Sequence, residues 1–380
     1  MHEHKQNQCK RKVKNRKNVV GLIIFCITVG IVFLYAYYQN LRKEIDVRQK
    51  WLETVLIGEK RWIIENQGSE GEIYMNGSEA GDVNPYFACM AALGLLAETK
   101  NCPITETEKK AVGRYLDWHT GILLETDGKM GIYRKESGKL IYKEKVDSED
   151  GYLGMYLFLM GKYLEKTENT DLPEYWKKGI SLALKKIQSL MQDGITQVSE
   201  ENTTVYLMDN LEVWRGLYEL ELAGLENTQA ISEMRKKTQE QIEKIFWDDA
   251  NQRWRIIGNS DRYHQTEFYP DGVAQIYPLI YEFPVKEKKK QKVLYDQFTE
   301  RFQWQKLKRT GFVWAITGMA AAQMRDIDNL VEFIGNYETE YCKERKYPLY
   351  TGEAGWICME CEKLYGLYER KIRTAFIPWI

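Results

Sequence analysis

The strongest constraint on this chain is an alternation. From residue 45 to 370, apolar residues recur with the 3.6-residue helical period, and few runs alternate with period two. The spacing predicts about twelve helices, over 45–66, 84–99, 106–121, 148–166, 173–191, 207–224, 228–247, 270–283, 286–303, 311–325, 327–343 and 354–369. The even-numbered segments are apolar nearly all round, as in Tyr86-Phe87-Ala88-Cys89-Met90-Ala91-Ala92-Leu93, Gly154-Met155-Tyr156-Leu157-Phe158-Leu159-Met160 and Phe312-Val313-Trp314-Ala315-Ile316. The odd-numbered ones carry a charged stripe, as in Met234–Lys244 and Lys286–Arg301. A helix apolar on every side must be buried, whereas an amphipathic one lies outside it. Six of each make a double ring of six helical hairpins. An α-solenoid would show a tighter repeat of stereotyped positions; here the even segments begin near 84, 149, 208, 270, 311 and 355.

Only 8 Pro in 380 residues suits long helices and argues against a many-turned β-sandwich. Two small β elements are expected between hairpins. Residues 131–134 and 139–143 flank the turn Glu136-Ser137-Gly138, and 252–256 follow the turn 248–251. Cap signals mark several helix starts: Asn84-Pro85, the capping box beginning at Thr105, and Ser148-Glu149-Asp150.

Ahead of this body, residues 18–41 carry no charged side chain. Val19–Tyr38 is apolar and long enough to cross a hydrocarbon core of roughly 30 Å. The aromatic end Tyr35, Tyr37 and Tyr38 takes the place of the small residues of a cleavage site. Lys5, Lys10, Arg11, Lys12, Lys14, Arg16 and Lys17 precede it and should stay cytoplasmic. The expected organisation is a basic cytoplasmic tail (1–18), a single-pass transmembrane signal anchor in the cell membrane (19–40) and an extracytoplasmic body (41–380). Seven Lys/Arg and one Glu in the tail leave the remaining chain at −7 of the total −1, which argues against nucleic-acid binding. Seven Cys form no disulfide framework. Cys358 and Cys361 read as core thiols, and a Cys89–Cys102 disulfide is open. Neither a second pair of metal-ligand spacing nor a nucleotide motif is present, so no metal and no cofactor are expected.

In a double ring the inner helices run parallel, and the loops feeding their N-termini meet at one mouth. Those loops hold Glu79 and Asp82; Asp147, Glu149, Asp150 and Tyr152; Asp209, Glu212 and Trp214; His264, Glu267, Tyr269 and Asp271; Arg309, Thr310 and Trp314; Tyr350, Glu353 and Trp356. Any one acid there caps its helix and complements the helix dipole. Taken together, converging carboxyls are what glycosidic cleavage needs: one protonated to donate to the leaving oxygen, one ionised to act at the anomeric carbon. Tyr86, Tyr152, Trp214, Tyr269, Trp314 and Trp356 are candidate stacking faces for sugar rings, and Asp271 and Glu353 candidate acceptors for their hydroxyls. Asp150, Asp147 and Asp209 are candidate catalytic carboxylates. With His119 and His264 the only body histidines and no G-x-S-x-G, a serine triad is not supported.

Asn84-Pro85-Tyr86-Phe87-Ala88, Asp147-Ser148-Glu149-Asp150-Gly151-Tyr152-Leu153-Gly154 and Tyr269-Pro270-Asp271-Gly272-Val273-Ala274-Gln275 at inner-helix starts resemble the six-hairpin glycosidase superfamily, the (α/α)6 toroid. Within it the chain looks most like the family-8 glycoside hydrolases. That resemblance implies an all-α (α/α)6 toroid acting on a polysaccharide, possible association with envelope polysaccharide-synthesis proteins, and a general acid just ahead of the first inner helix. Gly77-Ser78-Glu79-Ala80-Gly81 matches that stretch, which gives Glu79 the acid's role; Ser69-Glu70-Gly71 is the competing match. By the same resemblance Asp150 or Asp147 becomes the base or a sugar-binding carboxylate. The alternatives are a non-catalytic toroid that binds a glycan or a partner, and a lyase or epimerase of the same fold, for which His264 beside Arg262, Tyr263 and Tyr269 would matter.

Overall fold

A computed structural model describes residues 2–76, 81–137, 139–168, 172–225, 228–258, 267–307, 312–346 and 348–375, with side chains in the first helix described from Leu22. The chain divides into two compact units, one of residues 1–51 with 368–380 and one of 52–367.

Twelve α-helices are present among the described residues, as the periodicity predicts. Helix α1 (His2–Glu65) contains the apolar segment, where Leu22, Phe25, Ile31 and Phe33 are all more than half exposed. It is long and apolar enough to cross a membrane by length and composition. The inner helices of the 52–367 unit are α2 (Pro85–Leu95), α4 (Glu149–Thr167), α6 (Leu207–Leu222), α8 (Val273–Ile280), α10 (Thr317–Met324) and the start of α12 (Thr351–Thr374). Each is buried over most of its length. The outer helices α3 (Glu106–Glu125), α5 (Glu174–Leu190), α7 (Thr228–Phe246), α9 (Lys288–Phe302) and α11 (Ile327–Tyr341) bury only a stripe. α5 shows the pattern plainly: Trp176, Ile180, Ala183, Ile187 and Leu190 are buried and the lysines between them are not.

Glycines let the inner helices touch. A Cβ on Gly355 would strike the backbone of Met90 and Ala91, so α12 closes against α2 with no side chain between them. Gly154 and Gly216 bring α4 and α6 together in the same way. The β elements sit in the connections. β1 (Asp82–Val83), β2 (Gly131–Glu136) and β3 (Lys139–Lys145) form an antiparallel sheet in which Asp82 pairs with Arg134. Two short hairpins follow, β4 (Met191–Gln192) with β5 (Ile195–Thr196) and β6 (Trp247–Asp248) with β7 (Arg253–Trp254).

Two inner-helix starts lie three residues or more later than expected. α8 begins at Val273, after a π-helical turn over Phe268–Gly272. α10 begins at Thr317 and not at 311. Trp314 holds a φ of 62°, a conformation no bulky side chain favours. The cause is distant in sequence: the N–H groups of Trp314 and Ala315 donate to Glu353 at 3.3 and 2.6 Å instead of opening a helix. Cys89 and Cys102 are both free thiols, which closes the disulfide left open by the sequence. Cys89 lies in the core beside Tyr115 and His119, whereas Cys102 lies in the connection after α2. Cys358 and Cys361 are buried core thiols, as expected.

Candidate active site

A cavity of about 440 Å³ opens among the N-terminal ends of the inner helices. Its wall includes Tyr86 and Phe87 of α2, Asp147, Ser148 and Tyr152 at the start of α4, Asp209 and Glu212 of α6, Tyr269 and Tyr277 around α8, Phe312 and Trp314 ahead of α10, and Glu353 and Trp356 of α12. Five inner-helix starts and the loop before the sixth thus contribute.

Glu212 is the centre of this arrangement. Its Oε1 accepts hydroxyl protons from Tyr86, from Tyr277 at 2.7 Å and from Tyr281 at 3.3 Å. Oε2 is turned the other way. A Cβ placed on Gly151 would stand 2.7 Å from Glu212 Oε2, 3.0 Å from Ser148 Oγ and 3.6 Å from Asp209 Oδ1, so these three groups converge on the space that glycine leaves open. Burial pushes the Glu212 carboxyl up to about 7 against the opposing pull of the tyrosine hydroxyls, which favour its charged form. Asp209, one helical turn earlier, is held well above the usual carboxylate range by burial and then by the charges of Asp150 and Glu212. Two adjacent carboxyls, both held above the usual range, put protonated and ionised oxygens within reach of one substrate.

Glu353 forms a third acidic position. It is fully buried, which pushes it up to about 8, and it holds the peptide that keeps Trp314 in its left-handed conformation. Such strain costs on the order of 1–3 kcal/mol and collects at functional sites. It presents the indole of Trp314 to the cavity, packed against Tyr269 at 4.7 Å and Phe312 at 5.1 Å between ring centroids. Tyr86 and Tyr152 pair at 5.3 Å on another part of the wall. The Trp356 ring is only 2% exposed, and its Nε1–H has no partner among the described residues.

Of the residues picked out by sequence, Asp147, Asp209, Tyr86, Tyr152, Tyr269, Trp314, Glu353 and Trp356 all meet in this wall. Glu79 and His264 lie outside the described residues. Three others stand elsewhere. Asp150 is wholly buried behind the wall, where its carboxylate takes the hydroxyls of Ser148 and Thr196 and the Gly151 N–H. Trp214 packs in the interior on Tyr218 and Phe283. Its place follows from helix geometry, since two residues beyond Glu212 is about 200° round α6. Asp271 lines a separate hollow with Trp254, Phe298 and Phe302 and caps the Glu267 N–H.

Sequence reasoning named Glu212 among the acids near the mouth but did not choose it, and it missed Tyr277, Phe87, Phe312 and Ser148. A signal existed for Glu212. It is flanked by Leu211 and Val213 within a helix buried nearly all round, and a carboxylate in such a place needs partners or a task.

No family model matches the sequence, and no curated protein does. Solved structures do match in fold. A glycosidase aligns with a TM-score of 0.58 at 12% identity, over 86% of this chain and 98% of its own. A family-76 glycoside hydrolase (mannosidase) from Bacteroides thetaiotaomicron aligns at 0.52 and 11%, over 84% and 99%. A sugar epimerase from a ruminal bacterium aligns at 0.55 and 10%, over 83% and 98%. The chain therefore shares the (α/α)6 toroid fold of these structures.

Proposed function

We propose that this protein is a membrane-tethered glycoside hydrolase whose cavity binds a polysaccharide outside the cytoplasm. The observation that carries the reading is the asymmetry of Glu212: one oxygen holds three tyrosine hydroxyls and the other faces the cavity beside Asp209. In this reading the neutral Asp209 gives its proton to the leaving glycosidic oxygen. The ionised Glu212 acts through Oε2 at the anomeric centre, directly or by taking a proton from water. Its three tyrosine donors stabilise the carboxylate before the reaction. The rings of Tyr86, Tyr269 and Trp314 provide stacking faces for the sugar, and Asp147 offers a partner for its hydroxyls.

The test is hydrolysis by the full chain in detergent of β-glucan, α-glucan, α-mannan, a chitin-type polymer and a uronic-acid polymer, followed by release of reducing ends. Asp209→Asn should lower kcat by roughly 10²–10⁴-fold, the usual worth of a general acid. On the family-8 resemblance the acid would be Glu79 instead. Glu79→Gln is therefore run beside it, and full activity in Asp209→Asn with loss in Glu79→Gln would move the role to Glu79. Binding without turnover on every polymer would replace the hydrolase by a glycan-binding toroid. Products altered only at one stereocentre would replace it by an epimerase.

The tether makes its own prediction. The apolar part of α1 presents Leu22, Ile23, Ile24, Phe25, Ile27, Ile31, Val32 and Phe33, each 52–64% exposed except Phe33 at 72%. Surface of that kind is stable in hydrocarbon and not in water. The full chain should resist carbonate extraction from membranes, and removal of residues 1–41 should move it to the soluble fraction. Protease added outside intact cells should digest the body and leave the basic tail. Protection of the body would reverse the proposed orientation.

A further inference from the structure

Ser148 Oγ lies 2.8 Å from Asp150 Oδ1 and 2.8 Å from Asp209 Oδ2. A hydroxyl has one proton to give. Two ionised carboxylates cannot both be satisfied by it at hydrogen-bond distance, so one of the two must bring its own proton to Ser148. Asp150's other contacts decide which. The Gly151 N–H donates to its Oδ1 at 3.0 Å, and the Thr196 hydroxyl lies 2.7 Å from its Oδ2, nearer than to its other acceptor, Asn210 Oδ1, at 3.1 Å; Asp209 has among the described residues Ser148 alone as a hydrogen-bond partner, so of the two Asp150 is the better-stabilised carboxylate. The proton therefore sits on Asp209.

We infer that Ser148 is a positioning residue that carries a one-proton link between the two carboxyls, with Asp209 donating to Ser148 and Ser148 donating to Asp150. This rests on the assignment of Asp209 as the acid and adds how its proton is held and released. The Asp209 O–H first turns from Ser148 to the glycosidic oxygen; when the bond breaks, its proton passes to that oxygen and its electron pair stays on the carboxylate. Rotation of the Ser148 hydroxyl then turns its proton from Asp150 to Asp209 and stabilises the new charge. Asp150 keeps its Thr196 and Gly151 donors and tolerates the loss. The other titratable groups facing Asp209 are Glu212 on its own helix, Asp147 at the start of α4 and Tyr269 ahead of α8. The nearby ammonium of Lys145 is taken up by Glu149 and Glu201, at 3.3 and 3.0 Å.

The test reads protonation directly and needs no substrate. Infrared difference spectra of the full chain in detergent at neutral pH, wild type minus Asp209→Asn, should show one protonated carboxyl band. Titration of that band should move in opposite directions in two variants. Ser148→Ala removes the donor that stabilises the Asp209 carboxylate and should raise its midpoint by about one pH unit. Asp150→Asn removes a facing charge and frees the Ser148 proton, so it should lower the midpoint. The double variant should not be the sum of the two, because Ser148 is shared. Ser148→Thr keeps the hydroxyl and the cap and should restore the wild-type midpoint, which separates the link from loss of the α4 N-cap. If Ser148→Ala fails to fold, Ser148→Thr and Asp150→Asn still test the claim, since an unmoved midpoint in Asp150→Asn overturns it. An unmoved midpoint in Ser148→Ala also overturns the inference while leaving Asp209 as the acid. Absence of any band in the Asp209→Asn difference overturns that assignment itself.

Discussion

Replacing Glu212 by glutamine should reduce hydrolysis by about 10³-fold or more with little change in melting temperature. Glutamine has nearly the same volume, and its amide oxygen can take Oε1's place before the hydroxyls of Tyr86, Tyr277 and Tyr281. The Oε2 position becomes an N–H₂, which can neither attack an anomeric carbon nor take a proton from water. The wild-type pH profile should report the same group. Activity should climb on the acid side through about pH 7 as Glu212 ionises, and fall once Asp209, held well above the usual carboxylate range by burial, loses its proton. Tyr277→Phe removes one hydroxyl that favours the charged form, so the acid limb should move to higher pH while the alkaline limb stays. Steady-state rates across pH for the wild type, Glu212→Gln and Tyr277→Phe check all three. A Glu212→Gln enzyme with normal kcat would remove Glu212 from the chemistry.

The double ring was legible because its cause is coarse. A helix such as Gly154–Gly161, with no polar face, can only be buried, and that holds whatever its neighbours are. The convergence of acids at one end followed from the parallel run of such helices. What escaped depended on single angles and on distant partners. Trp214 and Glu212 differ by two positions in sequence, yet one packs under Phe283 and the other meets three tyrosines, Tyr86 of α2, Tyr277 of α8 and Tyr281 just after it. The start of α10 is moved by Glu353, some forty residues away, and no local signal in Phe312–Ile316 reveals it. Asp150 looked catalytic because it opens an inner helix. Its neighbours Ser148 and Thr196 turn it into a partner of Asp209, and Thr196 comes from β5, which the sequence did not mark.

Adding one methyl group at Gly154 should damage both fold and site, because the contact it fills belongs to the helix that carries the acids. A Cβ there would stand 2.7 Å from Val213 N, 2.8 Å from the Glu212 carbonyl carbon and 2.9 Å from Val213 Cα. These are backbone atoms of α6, so no side chain can swing aside; the helix itself must move. Gly216 presses on Gly154 from the other side, its own Cβ position blocked by the Gly154 carbonyl. Overpacking of this type costs typically 1–3 kcal/mol, and glycine's lower helix propensity, about 1 kcal/mol worse than alanine, offsets part of it. Gly154→Ala should therefore lower the melting temperature by a few degrees, and Gly154→Val by more. The effect on turnover should be larger than that on stability. A shift of α6 by about 1 Å withdraws Glu212 from its tyrosines and Asp209 from Ser148, and misplacement on that scale costs on the order of 10²-fold. Circular dichroism melts beside kcat for Gly154→Ala and, as a control, Gly335→Ala separate the two effects. Nothing lies within 4 Å of a Cβ at Gly335, so that variant should stay active and gain slightly in stability. Equal behaviour of the two alanine variants would mean that α6 does not depend on the close approach at Gly154.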